Sequence, residues 1–366
     1  MLYALPDHQV MESLLPALRD SYIEPAAARQ RLAETPGLVP IAIRPDDSGT
    51  IYFADIGDEP FLEWKYVYTV ERLIRDGKIT RFFATDLGIL DGPPAVRDGL
   101  EPDGLVFHVS RCGSTLFCKA LSRLSTNLVI NQGGPLQSGF WSAITNGWNK
   151  PLAPTEHNLN RLRNLVLMMT RRRQRDYRRC FVKFISWNTV YIDFIRAAFP
   201  DSRALYLYRD PAEVLSLVLE ETTAALHLRQ TPLAPVLTGL DAGDIGGLDD
   251  VAFLAHCYAS YFRAVAEQRD DSGLKLVNFR NTSRRELFPE ILERGLDWCP
   301  DADQLRTMQA QYDFYSKDDS DQTAYQGEAE DLRSRLGRDR CRQIDAITRQ
   351  SYHALENAGK NLFQTD

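Results

Sequence analysis

The stretch Gly104-Leu-Val-Phe-His-Val-Ser-Arg-Cys-Gly-Ser-Thr-Leu-Phe-Cys-Lys-Ala-Leu121 decides how this chain of 366 residues folds. Its first part is apolar except for His108, as expected of a buried strand. Gly113, Ser114 and Thr115 then supply the loop flexibility and the N-cap oxygens with which a helix opens. The first N–H groups of such a helix lack intrahelical partners and lie at its positive dipole end. The stretch therefore predicts a strand, an anion-binding loop and a helix.

The loop differs from the ATP-binding loop GxxxxGK[ST], whose lysine reaches the terminal phosphates. The matching positions are His108, Gly113, Ser114 and Thr115, so the first glycine and the lysine are both absent. A cation stands three residues before the position of that lysine, as Arg111. An ordinary strand-to-helix turn with a Ser or Thr cap accounts for the same residues without a ligand. The loop alone therefore leaves both interpretations open.

Two later segments also pass from an apolar strand toward a helix. Arg179-Cys-Phe-Val-Lys-Phe-Ile-Ser-Trp-Asn188 contains a strand that carries Lys183. Ser202-Arg-Ala-Leu-Tyr-Leu-Tyr-Arg-Asp-Pro-Ala-Glu-Val-Leu-Ser216 contains a strand that leads into Arg209-Asp-Pro211. The proline falls at an early helical position, where its missing N–H costs nothing. Three motifs in this order are stronger evidence than any one of them.

In this order the segments resemble the sulfotransferase superfamily, and in particular a bacterial sulfotransferase-like subgroup. The family's 5′-phosphosulfate loop has a basic residue before a Gly-Ser/Thr-Thr turn, as in Ser110-Arg-Cys-Gly-Ser-Thr115. The family also has a lysine-bearing strand and an Arg-Asp-Pro strand end, and the subgroup has a late Phe-Tyr-Ser-Lys-Asp stretch, here Phe314 to Asp318. The resemblance covers about residue 104 to the C-terminus. It implies a P-loop-type three-layer α/β fold, with a central, mostly parallel sheet flanked by helices.

Residues 1–97 precede this resemblance and are predicted to form a small N-terminal α+β accessory subdomain. The favoured boundary is the turn-rich segment of residues 91–99, and residues 98–366 then form the sulfotransferase-like domain with a helical C-terminal cap. In the N-terminal part, apolar spacing and turn signals predict helices at residues 9–22, 25–34 and 63–75, and strands at residues 39–44 and 50–54 around a turn at residues 45–49.

The resemblance implies transfer of a sulfuryl group from 3′-phosphoadenosine 5′-phosphosulfate (PAPS) to a hydroxyl or amine of a small-molecule acceptor. Lys183 would stabilise the leaving group, while Arg209 and Ser216 would hold the 3′-phosphate. The implied donor-binding residues are Ser110, Arg111, Cys112, Gly113, Ser114, Thr115, Arg209 and Ser216. The implied catalytic residues are Lys183, Arg111 and, as the base, Glu220, for which His227 and His256 are the other candidates. No metal is expected.

Three positions depart from the family pattern. The serine that usually follows the arginine by eight positions is here Leu217, with Ser216 one residue earlier. The histidine that often follows the lysine as catalytic base is missing after Lys183. Where an acidic residue is expected after the second strand, the chain reads Asn131-Gln-Gly-Gly-Pro135. The sequence therefore supports donor binding better than catalysis.

Two other classes of function remain open. A nucleotide-dependent kinase could use the same strand, loop and helix, but it needs a loop lysine and a Mg²⁺-binding carboxylate after a strand. Asp210 is the only well-placed acid, and it fits the Arg-Asp-Pro pattern better. The second alternative is a non-catalytic nucleotide-binding protein with a degenerate sulfotransferase fold, which the departures from the pattern motivate.

Composition and charge limit the classes of molecule that the chain is expected to bind. The net charge of −7 argues against broad nucleic-acid binding, and no window approaches a membrane-spanning run. Six cysteines are scattered without a CxxC pair, which favours a reducing cytoplasm. The arginine run at residues 171–179 is interpreted as cations at the C-terminus of a helix predicted at residues 162–174, on a solvated face. The acceptor and the oligomeric state remain open.

Overall fold

The computed structural model describes residues 7–45, 49–220, 224–318, 320, 322–324 and 331–363. The chain forms two compact units. The first unit comprises residues 1–103, 121–184 and 194–202, and the second comprises residues 104–120, 185–193 and 203–366. The domain division at residue 97 stays a prediction, because a compact group of residues is not by itself an independently folding domain.

Strands and helices alternate along much of the chain. The strands are β1 (Leu38–Ile43), β2 (Ile51–Asp55), β3 (Phe82–Thr85), β4 (Gly104–His108), β5 (Asn127–Asn131), β6 (Arg179–Lys183), β7 (Arg203–Tyr208) and β8 (Leu274–Asn278). The α-helices are α1 (Asp7–Leu14), α2 (Pro25–Glu34), α3 (Tyr66–Arg75), α4 (Ser114–Ser122), α5 (Gly134–Gln137), α6 (Gly139–Ile144), α7 (Glu156–Met169), α8 (Ile192–Ala198), α9 (Pro211–Val218), α10 (Ala224–His227), α11 (Ala234–Thr238), α12 (Ala242–Ile245), α13 (Asp250–Ala266), α14 (Phe279–Thr282), α15 (Phe288–Leu296), α16 (Ala302–Gln309), α17 (Leu332–Leu336) and α18 (Arg338–Glu356). Short 3₁₀ helices cover Pro16–Asp20, Leu87–Leu90, Ser186–Tyr191, Leu228–Gln230, Arg285–Leu287 and Ala310–Asp313.

The central sheet has five strands in the order β5-β6-β4-β7-β8. The pairs β4/β7, β5/β6 and β7/β8 are parallel. Every position of β4 and β5 is buried, as expected of parallel strands whose two faces are covered by helices. The predicted fold class, an α/β fold with a parallel sheet flanked by helices, is therefore confirmed.

A second, antiparallel sheet lies within the first unit, with the strand order β1-β2-β3. Its first two strands confirm the predicted strands in this region, and every position of both is buried. Residues 46–48 of the predicted turn between them lie outside the described residues. The helix predicted at residues 9–22 is wrong in its second half. The α-helix ends at Leu14, because Pro16 has no N–H to continue the ladder, and a 3₁₀ helix follows.

Helix α7 ends at Met169, two residues before the arginine run begins at Arg171, which corrects the prediction of a helix at residues 162–174. Arg173 and Gln174 have left-handed φ values of 49° and 67°, which a helix does not allow. Arg171 is buried, and its Nη1 donates to the carbonyls of Leu32 and Thr35 at 3.0 and 3.1 Å. The predicted solvated face is therefore wrong for this arginine, because backbone acceptors of the N-terminal segment draw it inward.

Among the described residues, no helix combines the length and the apolar character needed to cross a membrane.

We predict that Arg171→Ala lowers the free energy of unfolding by about 2–4 kcal/mol, because it leaves buried carbonyls and Asp98 without their donor. The matched control is Arg178→Ala, since Arg178 is exposed and bonds only to Asp176. That change should cost less than about 0.5 kcal/mol. Urea unfolding of both variants measures the difference, and equal midpoints would refute the role of Arg171.

Candidate functional site

The loop between β4 and α4 has the backbone of an anion cradle. Arg111 and Gly113 adopt left-handed φ values of 56° and 78° on either side of Cys112. Left-handed residues alternating with other conformations turn successive N–H groups toward one side of the chain. Helix α4 then begins at Ser114, so its first unsatisfied N–H groups continue the same surface. The Cys112 thiol is buried and donates to the Val109 carbonyl at 2.9 Å, so it packs as a loop residue.

The second left-handed position requires glycine for two reasons. A β-carbon at Gly113 would lie 3.2 Å from Thr282 Cγ2 and 3.4 Å from Phe279 Cδ2, the two ends of α14. The positive φ would in addition strain any other residue there. The loop therefore lies directly against α14, a contact that the sequence did not predict.

Arg209 holds the loop from the end of β7. Its side chain is only 5% exposed, and its Nη1 donates to the carbonyl of Arg111 at 3.2 Å. Its Nε donates to the Glu213 carboxylate at 2.8 Å. The guanidinium carbon lies 4.1 Å from the centre of the Phe279 ring, a cation–π contact. The structure thus brings two predicted donor-site residues, Arg111 and Arg209, into direct contact.

Asp210 caps the helix that follows. It accepts hydrogen bonds from two N–H groups of the first turn, and α9 begins at Pro211 as the sequence predicts. Both of its carboxylate oxygens also lie 2.9 Å from Nη1 of Arg333, whose Nη2 donates to Asp345 at 2.6 Å. This carboxylate is therefore engaged by the helix cap and by an arginine of the C-terminal segment.

Ser216 lies on α9 three residues after Glu213, which places the two side chains on neighbouring positions of one helix face. Its Oγ is buried and has no hydrogen-bond partner in the part of the chain that the structure describes. An orphaned buried hydroxyl is costly unless a ligand or water satisfies it. Ser216 therefore has the burial and the unused hydrogen-bonding capacity of a ligand-binding residue.

Helix α13 supports the first residue of the cradle. Ser110 lies within hydrogen-bond range of the Tyr258 hydroxyl; burial raises the pKa of Tyr258, and the bond from Ser110 opposes that rise. Tyr258 is therefore neutral near pH 7, and it ties the loop to the interior of the second unit. Sequence reasoning assigned Tyr258 no role.

The candidates for the base lie in different settings. The Glu220 carboxylate is 48% exposed and forms an ion pair with Arg335. His227 is exposed, whereas His256 is half-buried, and burial lowers the pKa of His256. Among the described residues, none of the three forms a hydrogen bond or an ion pair with the loop after β4. The assignment of Glu220 as the base stays a prediction.

Lys183 belongs to the first unit and ends β6 in register with Asn131 of β5. Its side chain is fully buried. The N–H of Gln132 donates to the Lys183 carbonyl at 2.8 Å, and Gln132 has a left-handed φ of 51°. Both amide atoms of Asn131 and the Oε1 of Gln132 are buried without a partner among the described residues. The carboxyl ends of this strand pair therefore carry three unused polar atoms, which require a ligand or water.

The late aromatic stretch is fixed to α4 by a lysine that the sequence analysis missed. Lys119 is buried, and its Nζ donates to the Asp318 carbonyl at 3.2 Å. The Asp318 carboxylate in turn accepts bonds from Ser320 and Thr323, which lower its pKa. A lysine in an apolar helix was the available signal, because a buried ammonium needs an acceptor.

No group of three or more His, Cys, Asp or Glu side chains within the described segments is arranged to hold a metal ion.

The sequence matches no protein-family profile and no curated protein. Among solved structures, the chain is similar to the sulfotransferase domain from the curacin biosynthetic pathway, with 12% identity, a TM-score of 0.36, and coverage of 65% of this chain and 96% of that one. The sulfotransferase STF1 from Mycobacterium tuberculosis H37Rv is 12% identical, with a TM-score of 0.35 and coverage of 66% of this chain and 77% of that one. The sulfotransferase domain of the Synechococcus PCC 7002 olefin synthase is 16% identical, with a TM-score of 0.36 and coverage of 72% of this chain and 98% of that one.

Replacing Gly113 by alanine should disrupt the cradle. We expect Gly113→Ala to lower the free energy of unfolding by about 1–2 kcal/mol, because alanine resists a positive φ and its β-carbon meets Thr282. The control is Gly243→Ala in α12, where a β-carbon meets nothing within 4 Å. That variant should be unchanged or slightly more stable. Thermal unfolding distinguishes them, and a neutral Gly113→Ala would contradict the loop geometry.

The contacts of Arg209 predict that charge alone does not replace it. Arg209→Lys keeps a cation but loses the fork that joins Glu213 to the Arg111 carbonyl. We expect it to weaken binding of an anion at the loop by about tenfold, with Arg209→Ala weaker still. Calorimetric titration with sulfate measures both variants. Wild-type affinity in Arg209→Lys would show that the fork does not position the loop.

Proposed function

We propose that this chain is a sulfotransferase that moves a sulfuryl group from PAPS to a hydroxyl or amine of a small-molecule acceptor. The observation that carries the proposal is the loop after β4, where two left-handed residues and the start of α4 present N–H groups and Arg209 fixes the turn. Such a cradle suits a tetrahedral oxyanion. The absence of the loop lysine favours a donor other than ATP.

The residues present suit the donor's two anionic ends. The N–H groups of Gly113, Ser114 and Thr115, with the guanidinium of Arg111, would bind the 5′-phosphosulfate. Arg209 and the orphaned hydroxyl of Ser216 would serve the 3′-phosphate. The family's serine stands one residue later, where this chain has Leu217. We assign the 3′-phosphate to Ser216 because its Oγ is buried without a hydrogen-bond partner among the described residues.

PAPS would supply the sulfuryl group, and the protein would position cations and N–H donors around it. In-line transfer gathers negative charge on the bridging and peripheral oxygens, so positioned cations and N–H donors lower the barrier. Lys183 would stabilise the leaving group, as the resemblance implies. A base must take the acceptor's proton unless the acceptor is already ionised, and Glu220 must leave Arg335 to do so.

The polar end of β5 suggests how an acceptor is held. Asn131 and Gln132 offer amide donors and acceptors where the family pattern has an acid. Amides bind a hydroxyl or amine without adding a negative charge. We therefore expect a neutral acceptor. That the protein acts in a reducing cytoplasm, and that it binds neither membranes nor nucleic acids, remain predictions.

The kinase alternative has less support. Its best candidate for a magnesium ligand, Asp210, caps α9 and is engaged by Arg333 through both oxygens. A metal would have to displace the arginine. A non-catalytic nucleotide-binding protein shares the same cradle, so the experiment below must separate binding from turnover.

The first test is a calorimetric titration with 3′,5′-adenosine bisphosphate and, separately, with ATP and Mg²⁺ at fixed ionic strength. Selective binding of the bisphosphate supports the proposal, and Arg111→Ala should weaken it at least tenfold. Selective binding of ATP would place the kinase first. Binding of the bisphosphate without transfer to a panel of phenols, alcohols and amines would identify the non-catalytic protein.

Lys183→Met should separate turnover from affinity. The variant keeps the buried stem but removes the ammonium, so we expect sulfuryl transfer to fall at least 100-fold while nucleotide affinity changes less than about threefold. Lys275→Met on β8 is the matched control, because Lys275 is a partly exposed strand lysine in the same sheet. Equal loss of turnover in both variants, or a normal rate in Lys183→Met, would remove Lys183 from the mechanism.

A further inference from the structure

A buried arginine lies beyond α7 in the first unit. Arg173 is 1% exposed, and its Nη1 donates to the Glu59 carbonyl at 2.6 Å. The guanidinium carbon lies 4.8 Å from the centre of the Phe61 ring. Its Nε and Nη2 are buried without a hydrogen-bond partner in the described part of the chain. Two of the three guanidinium nitrogens of Arg173 are therefore buried without a hydrogen-bond acceptor among the described residues.

No carboxylate among the described residues forms an ion pair with Arg173. Asp58 acts on it only at longer range, and burial lowers the pKa of the guanidinium. Neighbouring Arg175 is half-buried; it donates to the Asp58 carbonyl at 2.8 Å and lies over the Tyr177 ring. Carbonyl dipoles reduce the cost of burying a cation but leave its net charge. Neither guanidinium group thus has a carboxylate at ion-pair distance among the described residues, although Asp58 acts on Arg173 and Glu59 acts on Arg175 at longer range.

A cavity of about 220 Å³ opens beside these arginines. Its wall includes Arg175, Tyr177 and Phe61, together with Arg123 from the segment that follows α4. The Tyr177 hydroxyl is buried and has no hydrogen-bond partner at bonding distance in the described chain. No Asp or Glu side chain lines the cavity. The wall is therefore rich in donors and poor in acceptors.

The backbone beside the cavity is strained. Arg173 and Gln174 are consecutive left-handed residues, and neither is glycine. Each such residue costs about 1–2 kcal/mol, so the rest of the structure must hold the pair in place. The strain turns the chain so that Arg173 lies under Phe61 while Arg175 reaches the cavity wall.

We infer that this cavity binds a small oxyanion, a sulfate or phosphate group either free or carried as a monoester. Arg175 and Arg123 would contact the anion, and the Tyr177 hydroxyl would donate to it. Arg173 would supply positive charge from behind Phe61. The cavity is larger than a bare tetrahedral ion, so it has room for a small apolar group attached to the anion. The ring of Phe61 on the wall offers such a group an apolar contact. The inference does not depend on the proposed function.

The test is calorimetric titration of the full chain with sodium sulfate, inorganic phosphate and phenyl phosphate, against sodium chloride at matched ionic strength. Because the loop after β4 is a second anion cradle, the wild-type protein should show two sites. Arg175→Gln/Tyr177→Phe should lose one of them, with affinity falling at least tenfold. Gly113→Ala should lose the other and keep the cavity site. Tighter binding of phenyl phosphate than of phosphate identifies the monoester as the better ligand.

Arg178→Gln is the matched control, since Arg178 is exposed, pairs with Asp176 and does not line the cavity. It should titrate like the wild type. Circular dichroism in the absence of sulfate checks that the double variant is folded. If it is not, the isosteric Tyr177→Phe alone should still weaken the site several-fold. Superimposable titrations of the wild type and the folded cavity variants would overturn the inference.

Discussion

The second unit depends on how the chain turns from β4 into α4 within the five residues 109–113. Right-handed residues alone cannot make this turn, so Arg111 and Gly113 take left-handed conformations. Glycine does so without strain, but Arg111 does not, and its carbonyl is held by Arg209. The same bond that stabilises the strained residue fixes the direction of the helix's first N–H groups. The geometry of the loop and its proposed anion binding therefore rest on one contact.

Arg209 and Arg333 differ from Arg173 and Arg175 in how their charge is neutralised. In the second unit, Arg209 is paired with Glu213 and Arg333 is paired with Asp210, so each charge is balanced inside the protein. A guanidinium paired in this way has a fixed orientation, as the proposed contact of Arg209 with a 3′-phosphate requires. In the first unit, Arg173 and Arg175 form no ion pair among the described residues; they contact carbonyl oxygens and aromatic rings, while Asp58 and Glu59 act on them only at longer range. The ion pairs therefore position the loop after β4, whereas the proposed cavity site relies on arginines outside ion pairs.

Local signals predicted the parallel sheet and much of the candidate site. The start of α9 at Pro211 and the strand ending at Lys183 followed from patterns within about ten residues. The interior position of Arg171 could not be predicted, because its acceptors come from residues more than 100 positions away. Tyr258 and Thr282 were missed for the same reason. Periodicity identifies an element, but only the tertiary fold decides which side chains of distant elements meet at a loop.

The overall charge of −7 favours sheltered groups at the two proposed anion sites. A negative protein repels an approaching polyanion at long range, and salt screens that field beyond about 10 Å. Inside a low-dielectric pocket, by contrast, a few fixed cations and N–H groups outweigh many distant surface carboxylates. A chain of this charge therefore discriminates among anions by the shape and donor geometry of its pockets. The left-handed turns at Arg111 and Arg173 provide that geometry, one in each unit.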